Sequence, residues 1–427
     1  MDYISTNNQA SPVSFREAVI KGLAEDGGLY MPTIIKNLEK NFVDEIGKLS
    51  YAEIGLKIAN CFIEDEIEAT DLSNIVEGTL NFELPVVEIS DTVSTLELFH
   101  GPTLAFKDVG ARFMARCLGH FAKNNDKETT VLVATSGDTG SAVAHGFYGV
   151  EGIRVVILYP KGKISEFQEN QMTRLGKNIT ALEVNGNFDD CQKLVKSAFS
   201  EKTLTENILL TSANSINIAR LVPQIFYYFI GFSQLNQSDP IVSVPSGNYG
   251  NLTAGLIAKR MGLPVRKFVA SSNRNDIVPN FLQTGEFKPQ PSIATISNAM
   301  DVGNPSNFAR MMQLYNGSKS DMSNDVLGFS FTDSDTRNTI YEVREKYGYI
   351  LDPHGAVGYL GLKKAQEKDP ALGIFLETAH PAKFREVVEP VLEEKIKLPQ
   401  GYQVDTGVKL SIPMENQMSQ LEEILLQ

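Results

Sequence analysis

The feature that most constrains the fold is a plan that occurs three times. A short run of β-branched and apolar residues meets a turn of glycine, serine or asparagine, and a helical pattern follows. Thr129 to Ala134 runs into Thr135-Ser136-Gly137-Asp138-Thr139-Gly140-Ser141 and a small-residue helix from Ala142 to Phe147. Ile241 to Pro245 runs into Ser246-Gly247-Asn248-Tyr249-Gly250-Asn251 and a helix to Met261, where Gly262 and Pro264 are stop signals. Ile208 leads through Thr211-Ser212-Ala213-Asn214-Ser215 into a helix with Ile218, Leu221, Val222, Ile225, Phe226 and Phe229 on one face. Alternating strands and helices predict an α/β fold with a mainly parallel sheet. In such sheets ligands bind beyond the carboxyl ends of the strands, where all three turns lie.

Each turn opens a helix, so its unpaired N–H groups and the helix dipole form a cradle for an anion. Ordinary capping explains any one of them. Three in one chain point to ligands with several anionic groups. None has the Gly-x-Gly-x-x-Gly spacing of dinucleotide sites, and no Gly-x-x-x-x-Gly-Lys-Ser/Thr occurs. Gly-x-Ser-x-Gly is absent too, and no histidine is tied by spacing to Ser141, so a nucleophilic serine has no support.

A second feature is Phe99-His100-Gly101-Pro102-Thr103-Leu104-Ala105-Phe106-Lys107-Asp108. Val109, Phe113, Leu118 and Phe121 then recur at roughly helical spacing, and Asp108 suits a helix start, so Lys107 falls at a helix N-terminus. The positive end of the helix and the flanking Leu104 and Phe106 disfavour the ammonium form. A free amine is what a carbonyl cofactor needs for a Schiff base. The competing reading is a lysine that snorkels past an apolar patch.

At 427 residues the chain is about three times a usual domain length of roughly 150, which predicts two or three domains. A net charge of −13 without a basic stripe argues against nucleic acid and anionic membrane surfaces as partners. No apolar stretch is long enough to cross a bilayer and the first residues are polar, so a cytoplasmic protein is expected. Cys61, Cys117 and Cys191 stand far apart and the histidines show no His-x-x-x-His pair, which predicts reduced thiols and no metal site. Residues 1–95 read as a mainly helical leading region, with Phe15, Val19 and Leu23, then Ile54, Ile58 and Phe62, at helical spacing. A smaller α/β domain is expected over 96–200 and a larger one over 201–427, with Ser318 to Asp325 a polar surface loop.

These residues together resemble the pyridoxal-phosphate enzymes of the tryptophan-synthase-β type, and within them the long bacterial and fungal threonine-synthase family. The matching pieces are Tyr3 to Thr6, Gly22 to Pro32, the Lys107 segment, Thr135 to Ala142, Ser246 to Asn251, and Glu377 to Phe384. They occur in family order along nearly the whole chain. The resemblance implies fold type II, with two open, mainly parallel sheets flanked by helices. It implies that Lys107 holds pyridoxal 5′-phosphate, that Gly247, Asn248, Tyr249, Gly250 and Asn251 wrap the cofactor phosphate, and that Thr378 sets a neutral hydroxyl near the pyridine nitrogen. Ser136, Gly137, Asp138 and Thr139 resemble the loop for the substrate α-carboxylate, and Asn214, Ser215 and Arg220 match residues that hold the phosphate of O-phosphohomoserine.

Asp138 stands where the wider group commonly has asparagine facing the cofactor's 3′-oxygen, which leaves two options: a protonated carboxyl, or one turned towards other donors. The implied reaction converts O-phospho-L-homoserine and water into L-threonine and phosphate, in a monomer or small homo-oligomer. A phospholyase of the same fold that yields a carbonyl product, and a phosphate-sensing protein without activity, are the alternatives.

Overall fold

The computed structural model describes residues 1–123, 127–235, 239–402 and 407–427. Near the N-terminus β1 (Tyr3–Ser5) pairs antiparallel with β2 (Tyr30–Pro32). Two helices of this region, Phe15–Lys21 and Tyr51–Ile63, start on capping boxes in which Ser14 answers Glu17 and Ser50 answers Glu53. They bury Phe15, Val19, Ile54, Ile58 and Phe62 as the spacing predicts, whereas Leu23 lies past the end of the first helix, which Gly22 closes, and is half-buried.

Two larger sheets follow. The six-stranded sheet contains β3 (Val86–Ser90), β4 (Val93–Glu97), β9 (Ile241–Pro245), β10 (Lys267–Ser272), β11 (Val326–Ser330) and β12 (Gly373–Glu377), in the order β11-β10-β9-β12-β4-β3. Only the β3–β4 pair in it is antiparallel. The five-stranded sheet contains β5 (Thr129–Ala134), β6 (Ile153–Pro160), β7 (Ile179–Asn185), β8 (Leu209–Ser212) and β13 (Ile412–Glu415), ordered β13-β7-β6-β5-β8 and parallel throughout. β5, β9 and β12 are buried along their whole length, as strands covered by helices on both faces must be.

Sheet membership is discontinuous in sequence. β3 and part of β4 precede residue 96 yet belong to the six-stranded sheet, and β8 and β13 follow residue 200 yet belong to the five-stranded one. The ranges 96–200 and 201–427 therefore do not follow the sheets. The reason is that parallel pairing places no limit on how far apart in sequence two neighbours lie. Ser318 to Asp325, expected as a loop, is a short helix over Lys319–Asp325: Ser318 caps the Asp321 N–H and Met322 is fully buried.

Strand order fixes where a ligand can sit. The chain leaves β5 for β6 on one side while β8 lies on the other, and leaves β9 for β10 on one side while β12 lies on the other. Each sheet thus has a switch point, where crossover helices part and leave a crevice at the carboxyl ends. The turns after β5 and β8 share one such end, and those after β9 and β12 share the other.

Candidate active site

Lys107 is the first residue of the helix Lys107–Ala122. The loop before it is pinned to the segment after β12. Phe106 N–H donates to Thr378 O at 2.9 Å, His380 N–H donates to Leu104 O at 3.0 Å, and Leu104 adopts the left-handed region at φ +58°. Asp108 holds the loop from the other side, accepting from the Thr103 N–H at 2.9 Å and the Thr103 hydroxyl at 2.6 Å. Lys107 keeps partial exposure. Lost hydration around its amine pulls the ammonium down to about 8; Asp138 opposes this, and the Arg220 and Lys383 charges reinforce it.

After β9, Tyr249 turns at φ +60° into the helix Gly250–Arg260. Among the described residues, the N–H groups of Gly247, Asn248, Tyr249, Gly250 and Asn251 meet no protein acceptor. Gly247 is required by closeness, since a Cβ there would stand 2.6 Å from Met300 Cα. The Tyr249 hydroxyl bonds Ser272 Oγ at 2.6 Å. The Asn251 Oδ1 accepts from Tyr227 and Tyr228 at 2.8 and 2.6 Å, while its Nδ2 is buried without a partner, so its backbone N–H and its amide nitrogen are both left as donors. Next to this cradle Thr378 is buried at the end of β12, its hydroxyl without a protein partner among the described residues.

The turn after β5 has the same character. Thr135 Oγ1 accepts from Gly137 and Gly140 N–H at 2.9 and 2.8 Å, and Gly137 sits at φ +131°. The N–H groups of Ser136, Asp138 and Thr139 meet no protein acceptor among the described residues. The helix Asp138–Phe147 begins there. Asp138 resolves one of the two options left by the sequence: its Oδ1 lies 2.9 Å from Lys383 Nζ and accepts from Gln168 Nε2 at 2.9 Å. Burial pushes this carboxyl up, but the Lys383 and Lys107 charges and the hydrogen bonds from Lys383 and Gln168 hold it well below the usual carboxylate range. Asp138 is ionised.

After β8 the helix is capped by Asn217, not Ser215, because the Asn217 side chain accepts from Ala219 N–H at 2.9 Å and reaches back to Val19 O and Ser212 O. Asn214 donates to Ala134 O at 2.9 Å, tying this turn to the end of β5. Ser215 Oγ accepts from Asn248 Nδ2 at 2.5 Å, so the second and third turns touch. Arg220 is 4 % exposed, far from a solvated helix arginine. One of its Nη atoms donates to Ala213 O, its Nε has no partner, and among the described residues no carboxylate pairs with it. Burial lowers it to about 10, which leaves it a cation at neutral pH.

The structure therefore brings Lys107, Thr378 and all three turns to facing carboxyl edges of two sheets. Reading the sequence passed over Lys383, which lay inside the Glu377 to Phe384 segment. It also passed over Gln168 and the fully buried Arg310, whose guanidinium donates to Tyr30 O, Ser215 O and Ile216 O. Arg310 had no signal to find; apart from the nearby Asn307 Oδ1, its partners are backbone carbonyls from distant segments. The donors present suit a carbonyl compound carrying a phosphate: an amine of lowered basicity, a crowded cradle of free N–H groups, and an orphaned buried guanidinium for a second anion.

Comparison with known proteins bears on the same point. Residues 93–373 match the family described as pyridoxal-phosphate dependent enzyme, and residues 2–80 match threonine synthase N terminus. The threonine synthase of Haemophilus influenzae is 46 % identical over 430 residues, covering 100 % of both chains. The crystal structure of threonine synthase from Escherichia coli superposes with a TM-score of 0.93 at 44 % identity, covering 100 % of this chain and 99 % of that one. A pyridoxal-phosphate-bound threonine synthase from Brucella melitensis superposes at 0.94 with 33 % identity, over 100 % and 99 %.

Proposed function

The chain belongs to the threonine-synthase family of pyridoxal-phosphate-dependent enzymes, and on that premise we propose which of its residues carry the conversion of O-phospho-L-homoserine and water into L-threonine and phosphate. That conversion is the last step of threonine biosynthesis. The observation that carries the assignment is the joining of the cradle after β9, with its free N–H groups, to the turn before Arg220, through Asn248 and Ser215, beside a lysine whose amine is partly neutral.

Bound pyridoxal phosphate supplies a carbonyl for covalent attachment and a ring that accepts the electron pair released when the substrate Cα–H bond breaks. Lys107 would be the attachment point, and its Nζ, when free, would take the Cα proton. Gly247 to Asn251 hold the cofactor phosphate through backbone N–H groups, which the helix dipole of Gly250–Arg260 favours. Thr378 offers the ring nitrogen a hydroxyl, which does not force protonation there. Ser136, Gly137, Asp138 and Thr139 form the α-carboxylate loop, with the open N–H groups of Ser136, Asp138 and Thr139 as its donors.

Arg220 takes the substrate phosphate. Ser215 Oγ already accepts from Asn248, so its own O–H donates to the same group. Asn214 keeps the loop against β5. In the net reaction the Cγ–O bond to phosphate breaks and a C–H bond forms at Cγ, while a Cβ–H bond is replaced by a bond to the water oxygen, so the phosphate must be held until it leaves. Fixing both ends of the substrate also suppresses the other eliminations open to it. We place this chemistry in the cytoplasm, with a body around the five-stranded sheet giving the carboxylate and substrate-phosphate turns and a body around the six-stranded sheet giving the cofactor cradle. Among the described residues no helix is long and apolar enough to cross a membrane.

The test is product identification. Purified protein with pyridoxal phosphate and O-phosphohomoserine should release threonine and phosphate in equal amounts. Phosphate accompanied by 2-oxobutyrate or an aldehyde, and no threonine, would make it a phospholyase instead.

A further inference from the structure

Lys383 is a fully enclosed cation near the site, at 0 % exposure. It stands in the short helical turn Pro381–Phe384, just beyond β12 and Thr378. Its Nζ meets three groups from three other parts of the chain: Asp138 Oδ1 at 2.9 Å, Thr103 O at 2.7 Å and Gln171 Oε1 at 3.3 Å. An ammonium has three protons to donate, so the set is complete. Thr103 is the residue whose N–H and hydroxyl are both held by Asp108, the neighbour of Lys107. Gln171 also donates to the Tyr402 hydroxyl, so its orientation is fixed independently of Lys383.

Asp138 is the one carboxylate that acts electrostatically on Lys107, where the cations Arg220 and Lys383 act in the opposite sense. The other charges along the Lys107 helix lie further on: Arg112 reaches Gly78 O and Asn81, Arg116 reaches the Arg112 carbonyl, and His120 pairs with Asp71. A lone buried carboxylate here would hold the Lys107 amine protonated. The Lys383 charge opposes that effect, in the same sense as the stronger Arg220 charge, while its contact holds Asp138 in place at the first turn.

We propose that Lys383 is a positioning residue for this reaction: it clamps the ionised Asp138 carboxylate to the Thr103 loop, and thereby lets an aspartate stand beside Lys107 without locking the lysine amine in its charged form. This rests on Lys107 being the attachment point for the cofactor. The pair joins the start of the helix Asp138–Phe147, at the edge of the five-stranded sheet, to the segment after β12 of the six-stranded one.

The two partners must then have opposite effects on one measurable quantity. The readout is the pH midpoint for acylation of Lys107 by acetic anhydride in the full-length chain freed of cofactor, with the labelled peptide quantified by mass spectrometry. Lys383→Met should raise the midpoint by about one unit, because Asp138 is left uncompensated. Asp138→Asn should lower it, because Lys383 and Arg220 then face Lys107 without an anion. The double variant, which removes both charges, should return to within about half a unit of the parent, as should Lys383→Arg.

In holoenzyme, Lys383→Met should lower kcat at least tenfold near neutral pH and recover part of it as pH rises. A role in packing alone moves stability and yield but gives no pair of opposite shifts. Equal midpoints for the parent and both single variants, or shifts of the same sign, overturn the proposal. Should Lys383→Met fail to fold, Asp138→Asn and Lys383→Arg decide it: a lowered midpoint in the first and a parental one in the second support it, and any other result sinks it. The labelling reads the amine itself, so it stands apart from the turnover of Lys107→Ala, which tests the attachment point.

Discussion

Side chains that the sequence marked as charged become informative once their partners are known. Lys107→Ala should abolish turnover together with the visible absorption band of bound cofactor, while the fold survives because alanine is well tolerated at a helix start. A variant that still forms a reducible covalent adduct and turns over would move the nucleophile to another lysine. Cofactor capture should follow the free amine, rising as pH passes through about 8 and levelling above it, as measured by growth of the same band. Arg220→Ala removes a buried charge-assisted contact worth about 1.5–3 kcal/mol, or roughly one to two orders of magnitude in kcat/KM for O-phosphohomoserine. The band should be unchanged, inorganic phosphate should inhibit less, and Arg220→Lys should recover only part because an ammonium lacks the guanidinium fork. Parental kinetics in Arg220→Ala would place the substrate phosphate elsewhere. Lys107 could be read from its own flanks. Lys383 could not, since what gives it meaning are Asp138 and Thr103, hundreds of positions away, and a lysine after a strand is in itself unremarked.

Elements explain why the turns lie where they do. The helices after β5, β8 and β9 were legible because Gly, Asn and Ser break the apolar runs at fixed points, and local chemistry decides a helix start. For the third, Ser215 and Asn217 both have capping side chains, and the cap falls to Asn217 because Val19, from the N-terminal helix, supplies a second acceptor for it. Asn217→Ala should therefore cost about 1 kcal/mol or more in denaturant unfolding and also raise KM for the phosphorylated substrate, since the turn loses its anchor. An unchanged KM would show that the turn is set without its cap. Gly247→Ala makes a sharper test of the cradle. Its methyl would press on Met300 Cα at 2.6 Å, backbone that cannot swing aside as a side chain would. Affinity for pyridoxal phosphate, titrated by absorbance, should fall at least tenfold in a chain that remains folded.

At the scale of the molecule, two sheets meet at their carboxyl edges through a small number of polar ties: Lys383 with Asp138, Asn248 with Ser215, and Arg310 with Ser215 and Ile216. A ligand bridging the same edges adds to those ties, so pyridoxal phosphate at a hundred times its Kd should stabilise the chain by about 2.7 kcal/mol and raise Tm accordingly. Periodicity announced the α/β class but could not assign β8 and β13 to the five-stranded sheet, since parallel partners share no turn that a sequence could display. The place of β12 has a consequence for how the polypeptide is made. It lies between β9 and β4 and, among the described residues, is the strand that pairs with both. Until residue 377 has left the ribosome, β4 and β9 each present a bare edge of unpaired backbone N–H and C=O groups to other nascent chains, and β7 waits still longer for β13. Most of the polypeptide is thus synthesised before either sheet can close, and during that interval its protection from aggregation has to come from outside the molecule.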